Sequence, residues 1–271
     1  MSTAAGPGEG LPDTDYTTGR LQSFVAKVRA RESVVGYWVV LDSAVSTERV
    51  ARIGYDFVAL DAQHGLFGYE GMLRNLQAID AAATAAPVVR VGANDQFQIG
   101  RALDAGAVLV IVPLVESAAE AAAAVSYTQH PPFGTRSYGP MRSGLRIGPN
   151  PAQVRDQVGC LVMIETADGL DNVEEICATE GLTGVYVGPS DLTLALGGAS
   201  STDGAVASEF EAALVRVRTA AAAAGIAAGI HTPSGEVANR RLREGFTFAS
   251  VASDVTHLER VAADHLASAR S

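Results

Sequence analysis

The chain has 271 residues, of which 48% are hydrophobic and 18% charged, and its formal net charge is −10. This length suits one large α/β domain, and the acidic balance argues against nucleic acid or an anionic membrane as a binding partner. An anionic substrate is still compatible with an acidic chain, because a local arginine or metal ion can reverse the charge inside a pocket.

The first 20 residues, MSTAAGPGEGLPDTDYTTGR, lack the basic start and apolar run of a secretory signal. We predict a flexible polar tail at 1–20, followed by a single domain at 21–271. No stretch approaches the roughly 18 apolar residues that a membrane span needs. Cys160 and Cys177 are too few for a disulfide framework, and we expect two buried, reduced thiols. The sequence therefore predicts a soluble, cytoplasmic protein.

Apolar, β-branched runs alternate with helical patterns along the chain. The predicted strands cover 34–41, 56–61, 87–91, 108–114, 160–165, 184–188, 226–231 and 246–252. Their nearly continuous hydrophobicity is typical of strands buried on both faces of a parallel sheet. Eight strand–helix units predict a closed (β/α)8 barrel, with an open, doubly wound sheet as the alternative.

Glycine stands shortly before several predicted strands, at Gly54, Gly106, Gly225 and Gly245. Helices commonly end in a glycine with positive φ, and we expect these four residues to end helices. Polar residues gather instead after the strands. Because the carboxyl ends of barrel strands carry the active site, those polar residues are the first candidates for function.

Two acidic residues follow neighbouring predicted strands. Glu165 ends an almost wholly apolar run, and Asp191 ends the motif GPSD. A carboxylate in the first position is costly to bury unless it is paired or bound to a metal, although each acid alone also suits a helix cap or a loop. Two carboxylates at adjacent strand ends can share one hard divalent cation, so we predict that Glu165 and Asp191 bind a metal ion.

Three further polar side chains lie at predicted strand ends. Arg90 closes the third strand, where its cation suits an enolate oxygen or a substrate carboxylate. The alternative for Arg90 is an internal salt bridge with Glu165 or Asp61. His64 follows the second strand and is a candidate general base, with Asp61 holding its imidazole. His231, at the end of the seventh strand, is a weaker candidate.

The connection at 130–149, HPPFGTRSYGPMRSGLRIGP, is long for a compact domain. Its three arginines and four glycines favour a mobile flap near an anionic ligand, with an ordinary surface loop as the alternative. We expect His130 in this segment, and His257 and His265 further along the chain, to be surface or loop residues.

Several of these segments resemble the HpcH/HpaI aldolase family. The resemblance covers roughly residues 21–260 and includes the strand that ends in Asp61 with His64 shortly after it. It also rests on PVVR (87–90), NDQFQIGRALDAGA (94–107), HPPFGTRSYGP (130–140), MIETADGLDNVEEI (163–176) and GVYVGPSDLTLALG (184–197). The last two segments together are specific to this superfamily, which also includes citrate lyase β-subunit-like enzymes.

The resemblance implies a (β/α)8 barrel whose last helix is exchanged between subunits of a hexamer, built as a trimer of dimers. It implies a class II aldolase that cleaves a 4-hydroxy-2-oxo acid into pyruvate, or a close 2-oxo acid, and an aldehyde. The cofactor that it implies is Mg²⁺ or Mn²⁺, with Co²⁺ as a further candidate. The implied site residues are the metal ligands Glu165 and Asp191, the catalytic residues His64, Asp61 and Arg90, and the substrate-binding residues Arg90, Gly188, Pro189, Ser190 and Met163.

An aldolase stabilises its enolate through a lysine Schiff base or through a metal ion. Lys27 is the only lysine in the chain, and it lies in an amphipathic segment ahead of the first strand, where we expect it to face solvent. The lysine count therefore favours the metal route. In the cleavage direction we expect His64, acting through water, to remove the proton of the C4 hydroxyl, while Arg90 helps to hold the enolate.

Two positions depart from the family pattern. Gln63 stands where the family usually has Glu, and Met163 stands where it often has Gln, which removes a polar contact to pyruvate. The alternatives within enzymes are an oxaloacetate-type decarboxylase and a citrate lyase β-like CoA-ester lyase, although a nucleotide would need a basic groove. A non-catalytic, metabolite-binding barrel is the alternative from another class.

Overall fold

Eight parallel strands form a closed barrel in sequence order in the computed structural model, which describes residues 24–148 and 150–271. β1 pairs with both β2 and β8, so the sheet has no edge. The strands are β1 Val34–Val39, β2 Phe57–Asp61, β3 Ala86–Arg90, β4 Leu109–Val112, β5 Gly159–Ile164, β6 Gly184–Val187, β7 Ala227–Thr232 and β8 Phe248–Ser253. The predicted (β/α)8 barrel is confirmed and the open, doubly wound sheet is excluded.

Helices pack around the barrel and return the chain from each strand to the next. They are α1 Ala44–Ala51, α2 Tyr69–Ala82, α3 Gln96–Asp104, α4 Ala118–Thr128, α5 Pro151–Gln157, α6 Ala167–Asp171, α7 Val173–Cys177, α8 Pro189–Ala195, α9 Ala207–Ala224, α10 Gly235–Arg243 and α11 Asp254–Arg270. Residues 24–29, ahead of β1, are also helical. None of the helices in the described ranges is long and apolar enough to cross a membrane.

An aromatic cluster closes the end of the barrel at which the strands begin. Phe57 and Phe248, the first residues of β2 and β8, stack with ring centroids 4.1 Å apart, and Phe24 packs over both rings. All three side chains are buried, so this end of the barrel is filled with apolar atoms. Lys27, on the same helical segment as Phe24, is exposed, as predicted.

The turns at the two ends of the barrel follow the pattern expected from the sequence. The four glycines predicted to end helices have positive φ, from 73° at Gly225 to 117° at Gly54. At the opposite end, polar side chains accept hydrogen bonds from the first turns of the helices that follow strands: Ser43, Asp95, Ser117, Thr166, Ser234 and Ser253. That end, where the strands finish, is called the mouth below.

The long connection at 130–149, between α4 and β5, is anchored on the outer layer of helices. Its three arginines are all bound to the helix layer, Arg136 to Asp104 and both Arg142 and Arg146 to Asp80. Asp80 and Asp104 lie near the carboxyl ends of α2 and α3, on the side of the barrel opposite the mouth. The predicted flap near an anionic ligand is therefore wrong, because these guanidinium groups anchor the connection itself.

The last helix, α11, leaves the barrel after its first turn. Asp254 is buried and accepts hydrogen bonds from the backbone N–H groups of Val40 and Leu41, which ties the helix start to the end of β1. Beyond this point most of the helix is exposed, including the apolar side chains of Leu258, Val261 and Leu266. In one subunit, α11 therefore covers little of the barrel.

Two further expectations concern single residues. Cys160 and Cys177 are free and buried, as predicted, and burial raises the pKa of both thiols to about 12. His130 lies in a loop, as one of its two predicted placements had it, but it is buried rather than at the surface, and its Nδ1 lies 3.1 Å from the carbonyl oxygen of Arg136. The predicted tail at 1–20 lies outside the described residues.

Candidate active site

Glu165 lies directly after β5 at the mouth, with 1% of its surface exposed. One carboxylate oxygen, Oε1, accepts a hydrogen bond of 2.9 Å from the backbone N–H of Leu114. Leu114 adopts a left-handed conformation with φ of 54°, which is strained for a leucine. The other oxygen, Oε2, is buried and has no hydrogen-bond partner among the described residues. A buried carboxylate oxygen without a partner is destabilising unless something else binds it.

That unpartnered oxygen lies close to the backbone of Gly188, which follows β6. A Cβ atom at Gly188 would clash with Oε2 of Glu165 and would lie 2.9 Å from Cε of Met163. Asp191 lies in the first turn of α8, close enough for its negative charge to act on Glu165. The predicted ligands Glu165 and Asp191 are thus neighbours at the mouth, and carboxylate oxygens are the donors that a hard divalent cation prefers.

The described part of the chain contains no cluster of three or more His, Cys, Asp or Glu side chains able to hold a metal. Two carboxylates alone leave most positions of a hard cation for other oxygen atoms. Substrate and water oxygens are the usual source of such ligands in enzymes that bind their metal weakly. A site of this composition would be completed only when substrate is present.

The carboxyl group of Glu165 has a strongly raised pKa, from 4.5 to about 7. Burial is the main cause and the negative charge of Asp191 adds to it, while the Leu114 N–H and the Arg90 charge act in the opposite direction. At neutral pH the group is therefore poised between its neutral and ionised forms when no cation is bound. A divalent cation would displace the proton, so metal affinity should rise with pH up to about 7.

We expect this raised pKa to make the metal-free protein less stable at high pH. Between about pH 4.5 and pH 7 the folded state binds more protons at Glu165 than the unfolded state does, so stability falls as pH rises through this range. At pH 8 the Glu165→Gln variant should be more stable than wild type by up to about 3 kcal/mol. At pH 4 the difference should be small. Calorimetry in EDTA at both pH values measures this, and an equal difference at the two would contradict it.

Arg90 and Asp61 form a buried ion pair at the mouth. The two residues are register partners on β3 and β2, and Nε and Nη2 of Arg90 both donate to the Asp61 carboxylate. Burial alone would raise the pKa of Asp61, but the Arg90 hydrogen bonds and charge, with further donors, hold it below its ordinary value. Arg90 is thus found in the salt bridge considered as its alternative role. Nη1 makes no hydrogen bond to a described residue.

Contrary to the prediction, Asp61 does not bind the imidazole ring of His64 but binds the backbone of the turn that carries it. Asp61 Oδ1 accepts hydrogen bonds from the backbone N–H groups of Gln63 and His64, and Oδ2 accepts one from Trp38 Nε1. With Arg90 also bound, the carboxylate has no position left for an imidazole. Asp61 therefore holds the turn that carries His64 rather than the ring itself. The His64 side chain is exposed at the mouth, and its role as a base remains a prediction.

The other predicted substrate-binding residues lie where β5 and β6 end. Met163 is buried on β5, two residues before Glu165, with its methyl group next to Gly188. Pro189 and Ser190 form the first turn of α8, whose N-terminus has no side-chain cap. The structure thus brings Met163, Gly188, Pro189 and Ser190 together around Glu165.

His257 on α11, predicted to be a surface or loop residue, is half-buried, and its Nδ1 lies 2.9 Å from the Tyr37 hydroxyl.

Three site residues were missed by the sequence reasoning, because in the sequence they look like core residues. Trp38 on β1 stacks on Tyr186 of β6, and the Arg90 guanidinium lies over the Trp38 ring, 5.1 Å from its centroid. Oγ of Ser250, on β8, forms hydrogen bonds with the Tyr186 hydroxyl at 2.6 Å and with Nδ1 of His231 at 2.7 Å. The one available signal was Trp38 itself, the only tryptophan in the chain. These residues form the floor of the mouth, below Arg90.

The fold is a closed (β/α)8 barrel, and Glu165, Asp191 and Arg90 lie at its mouth, the end that carries the active site in enzymes of this fold. The family model described as HpcH/HpaI aldolase/citrate lyase matches residues 34–260, and the chain belongs to this family. It is an aldolase, a carbon–carbon lyase, as are the named relatives below. The non-catalytic alternative is thereby excluded.

Several characterised relatives are similar over most of their length. The hydroxypyruvate/pyruvate aldolase of Rhizorhabdus wittichii is 40% identical over 235 residues, covering 86% of this chain and 93% of the relative. The 5-keto-4-deoxy-D-glucarate aldolase of Klebsiella pneumoniae is 38% identical, covering 86% and 90%. The 4-hydroxy-2-oxo-heptane-1,7-dioate aldolase of Shigella sonnei is 36% identical over 245 residues, covering 89% and 92%.

Solved structures share this fold. An HpcH/HpaI aldolase/citrate lyase family protein from Burkholderia cenocepacia is 33% identical and superposes with a TM-score of 0.84, covering 92% of this chain and all of the other. A citrate lyase β subunit from Mycobacterium tuberculosis, complexed with oxaloacetate and magnesium, shares the fold at 21% identity and a TM-score of 0.56, covering 85% and 95%.

Proposed function

We propose that the protein is a class II aldolase that reversibly cleaves a 4-hydroxy-2-oxo acid into an aldehyde and pyruvate, or a close 2-oxo acid. The observation that carries the proposal is the buried, unpartnered Oε2 of Glu165 beside Gly188 and Asp191. The relatives named as aldolases of hydroxypyruvate, pyruvate and 2-oxo acids support the substrate class.

Glu165 and Asp191 would hold the cofactor, a divalent cation such as Mg²⁺ or Mn²⁺, with Co²⁺ as a further candidate. Such a cation, when bound, supplies Lewis-acid stabilisation of negative charge on the oxygens of a 2-oxo acid. The absence of a side chain at Gly188 lets the Glu165 carboxylate lie against the backbone there. Leu114 N–H fixes the Glu165 carboxylate by its Oε1, so that Oε2 keeps its direction.

The remaining residues act on the substrate around this centre. Arg90, held by Asp61 through Nε and Nη2, presents Nη1 to the oxygen on which charge develops. His64 removes the proton from the C4 hydroxyl during cleavage and returns it during addition, on a turn that Asp61 fixes through its backbone. Met163 and Trp38 place apolar surface around the reacting carbons and exclude water.

The test is a mass-spectrometric screen of aldol addition. Pyruvate and hydroxypyruvate are incubated with a panel of aldehydes, with Mg²⁺, with Mn²⁺, with Co²⁺ or after treatment with EDTA. We expect C–C bond formation that disappears with EDTA and returns with metal. Parallel reactions with oxaloacetate and with acyl-CoA esters test the decarboxylase and CoA-ester alternatives. Full activity of the EDTA-treated enzyme without added metal would refute the metal-dependent mechanism.

We further propose that α11 packs on a neighbouring subunit in a homo-oligomer, a hexamer by resemblance. The exposed apolar side chains of Leu258, Val261 and Leu266 along a helix that leaves its own barrel support this proposal. Light scattering coupled to gel filtration measures the mass in solution, and a monomer at micromolar concentration would contradict it.

A further inference from the structure

A hydrogen-bonded chain of three side chains crosses the floor of the mouth. The Tyr186 hydroxyl lies 2.6 Å from Oγ of Ser250, and the same Oγ lies 2.7 Å from Nδ1 of His231. His231 and Ser250 are register partners on β7 and β8, so their side chains lie side by side in the barrel. This hydrogen-bonded series contains neither the proposed metal ligands nor the proposed base.

The surroundings of Tyr186 show which atom donates the proton in each of these two hydrogen bonds. Its side chain is fully buried, and Ser250 is the partner of its hydroxyl among the described residues. If Ser250 donated to Tyr186, the tyrosine proton would be left buried without an acceptor, which is destabilising. Tyr186 therefore donates to Ser250, and Ser250 donates to Nδ1 of His231. A neutral imidazole that accepts at Nδ1 carries its proton on Nε2.

His231 is kept neutral by its environment. Burial and the nearby positive charge of Arg90 lower its pKa to about 4, with Asp61 acting in the opposite direction. The ring packs edge-on against Trp38, the side chain that also binds Asp61 and lies beneath Arg90. His231 is only partly buried, and Nε2 has no hydrogen bond to a described residue. A fixed, neutral N–H donor therefore opens into the mouth beside Arg90.

We propose that Nε2–H of His231 binds a hydroxyl oxygen of the substrate, so that the enzyme favours a hydroxylated 2-oxo acid or a hydroxylated aldehyde over the corresponding substrate that lacks the hydroxyl. The inference rests on the proposed aldol function. A neutral donor cannot bind a cation and gains little from an alkyl group, but it pairs well with an uncharged oxygen. An imidazole that stays neutral is a poor acid, so His231 is a specificity-determining residue rather than a proton donor.

The experiment compares two pairs of matched substrates in wild type, His231→Leu and His231→Gln. One pair is glycolaldehyde and acetaldehyde with pyruvate as the common donor, and the other is hydroxypyruvate and pyruvate with one common aldehyde. For at least one pair we expect His231→Leu to reduce the kcat/KM preference for the hydroxylated member about tenfold. Glutamine keeps both an acceptor for Ser250 and a donor, so His231→Gln should retain most of the preference. The pair that responds shows which substrate carries the hydroxyl.

Two further readouts separate this role from a loss of folding or of the aldol site. Exchange of the C3 hydrogens of pyruvate in D2O with Mg²⁺ needs no aldehyde, and metal-dependent exchange in His231→Leu shows that the variant is folded and keeps the aldol site. Nitrogen-15 NMR should place the His231 proton on Nε2 in wild type. In Tyr186→Phe, which lacks the hydroxyl that orients Ser250, the neutral ring should be a mixture of the Nδ1–H and Nε2–H tautomers.

The outcomes are distinct. Unchanged preferences in His231→Leu with normal exchange, or a proton on Nδ1 in wild type, would overturn the role of His231 alone. No metal-dependent exchange in wild type would refute the proposed aldol function, and with it the inference.

Discussion

Replacing Glu165 with glutamine should reduce kcat/KM for aldol cleavage by about 10³-fold or more, although the substitution keeps the size and shape of the side chain. The reason is that Oε2, buried and unpartnered, becomes an amide group that binds a divalent cation poorly. The loss of Lewis-acid stabilisation corresponds to several kcal/mol of transition-state energy. Steady-state cleavage assays with Mg²⁺ and with Mn²⁺ measure the change, and calorimetric titration measures the loss of metal affinity.

The matched control is Glu175→Gln, at an exposed position on α7. It makes the same chemical change at a solvent-exposed side chain outside the predicted site, so its activity and metal affinity should match wild type. Because the Glu165→Gln protein is expected to be at least as stable as wild type at pH 8, inactivity cannot be attributed to unfolding. Wild-type metal affinity in Glu165→Gln would show that Glu165 is not a metal ligand.

Replacing Arg90 with methionine should lower both stability and turnover. Asp61 would keep its buried negative charge without its partner, which typically costs about 3–5 kcal/mol. Loss of the Nη1 donor should reduce kcat by about 10²–10³-fold. Urea denaturation and cleavage assays measure the two effects separately, provided that folding is confirmed at the assay temperature.

A second substitution separates the two effects. In the Asp61→Asn/Arg90→Met double variant the buried charge is gone, so most of the lost stability should return while turnover stays low. Arg216→Met, which breaks an exposed ion pair with Glu174, is the matched control and should change stability by less than about 1 kcal/mol. Recovery of turnover in the double variant would show that Arg90 acts only through Asp61.

The barrel and the acidic pair were predictable from the sequence because both depend on local patterns. Eight buried strands have an unmistakable apolar signature, and a residue that directly follows a barrel strand must lie at the mouth. Glu165 and Asp191 follow neighbouring strands, so their proximity results from strand order alone. No knowledge of side-chain conformation was needed.

The partners of Asp61 were not predictable in the same way. His64 is three residues away in sequence, whereas Arg90 is directly opposite in the register of β2 and β3. The ion pair forms because a buried carboxylate is stabilised more by a fixed cation with two donors than by a neutral ring. The chain from Tyr186 through Ser250 to His231 likewise joins three strands, and no spacing in the sequence indicates it.

The three arginines at 130–149, in the connection between α4 and β5, show a different limit. Their number indicated an anionic ligand, but Asp80 and Asp104, on separate helices, take up their charge. Sequence composition gives the sign of a segment's charge and not the location of the opposite charges. The direction of the connection, from a helix to a strand, was the better guide, since such connections lie away from the mouth.

The exposed position of Lys27 has a practical consequence. The side chain lies on the helical segment that carries Phe24, at the closed end of the barrel, on the side opposite Glu165 and Arg90. Lysine-directed coupling to a solid support would therefore attach each subunit at one side chain, with its substrate entrance facing the solution. The same coupling on an enzyme with many lysines gives random orientations, some of them blocked.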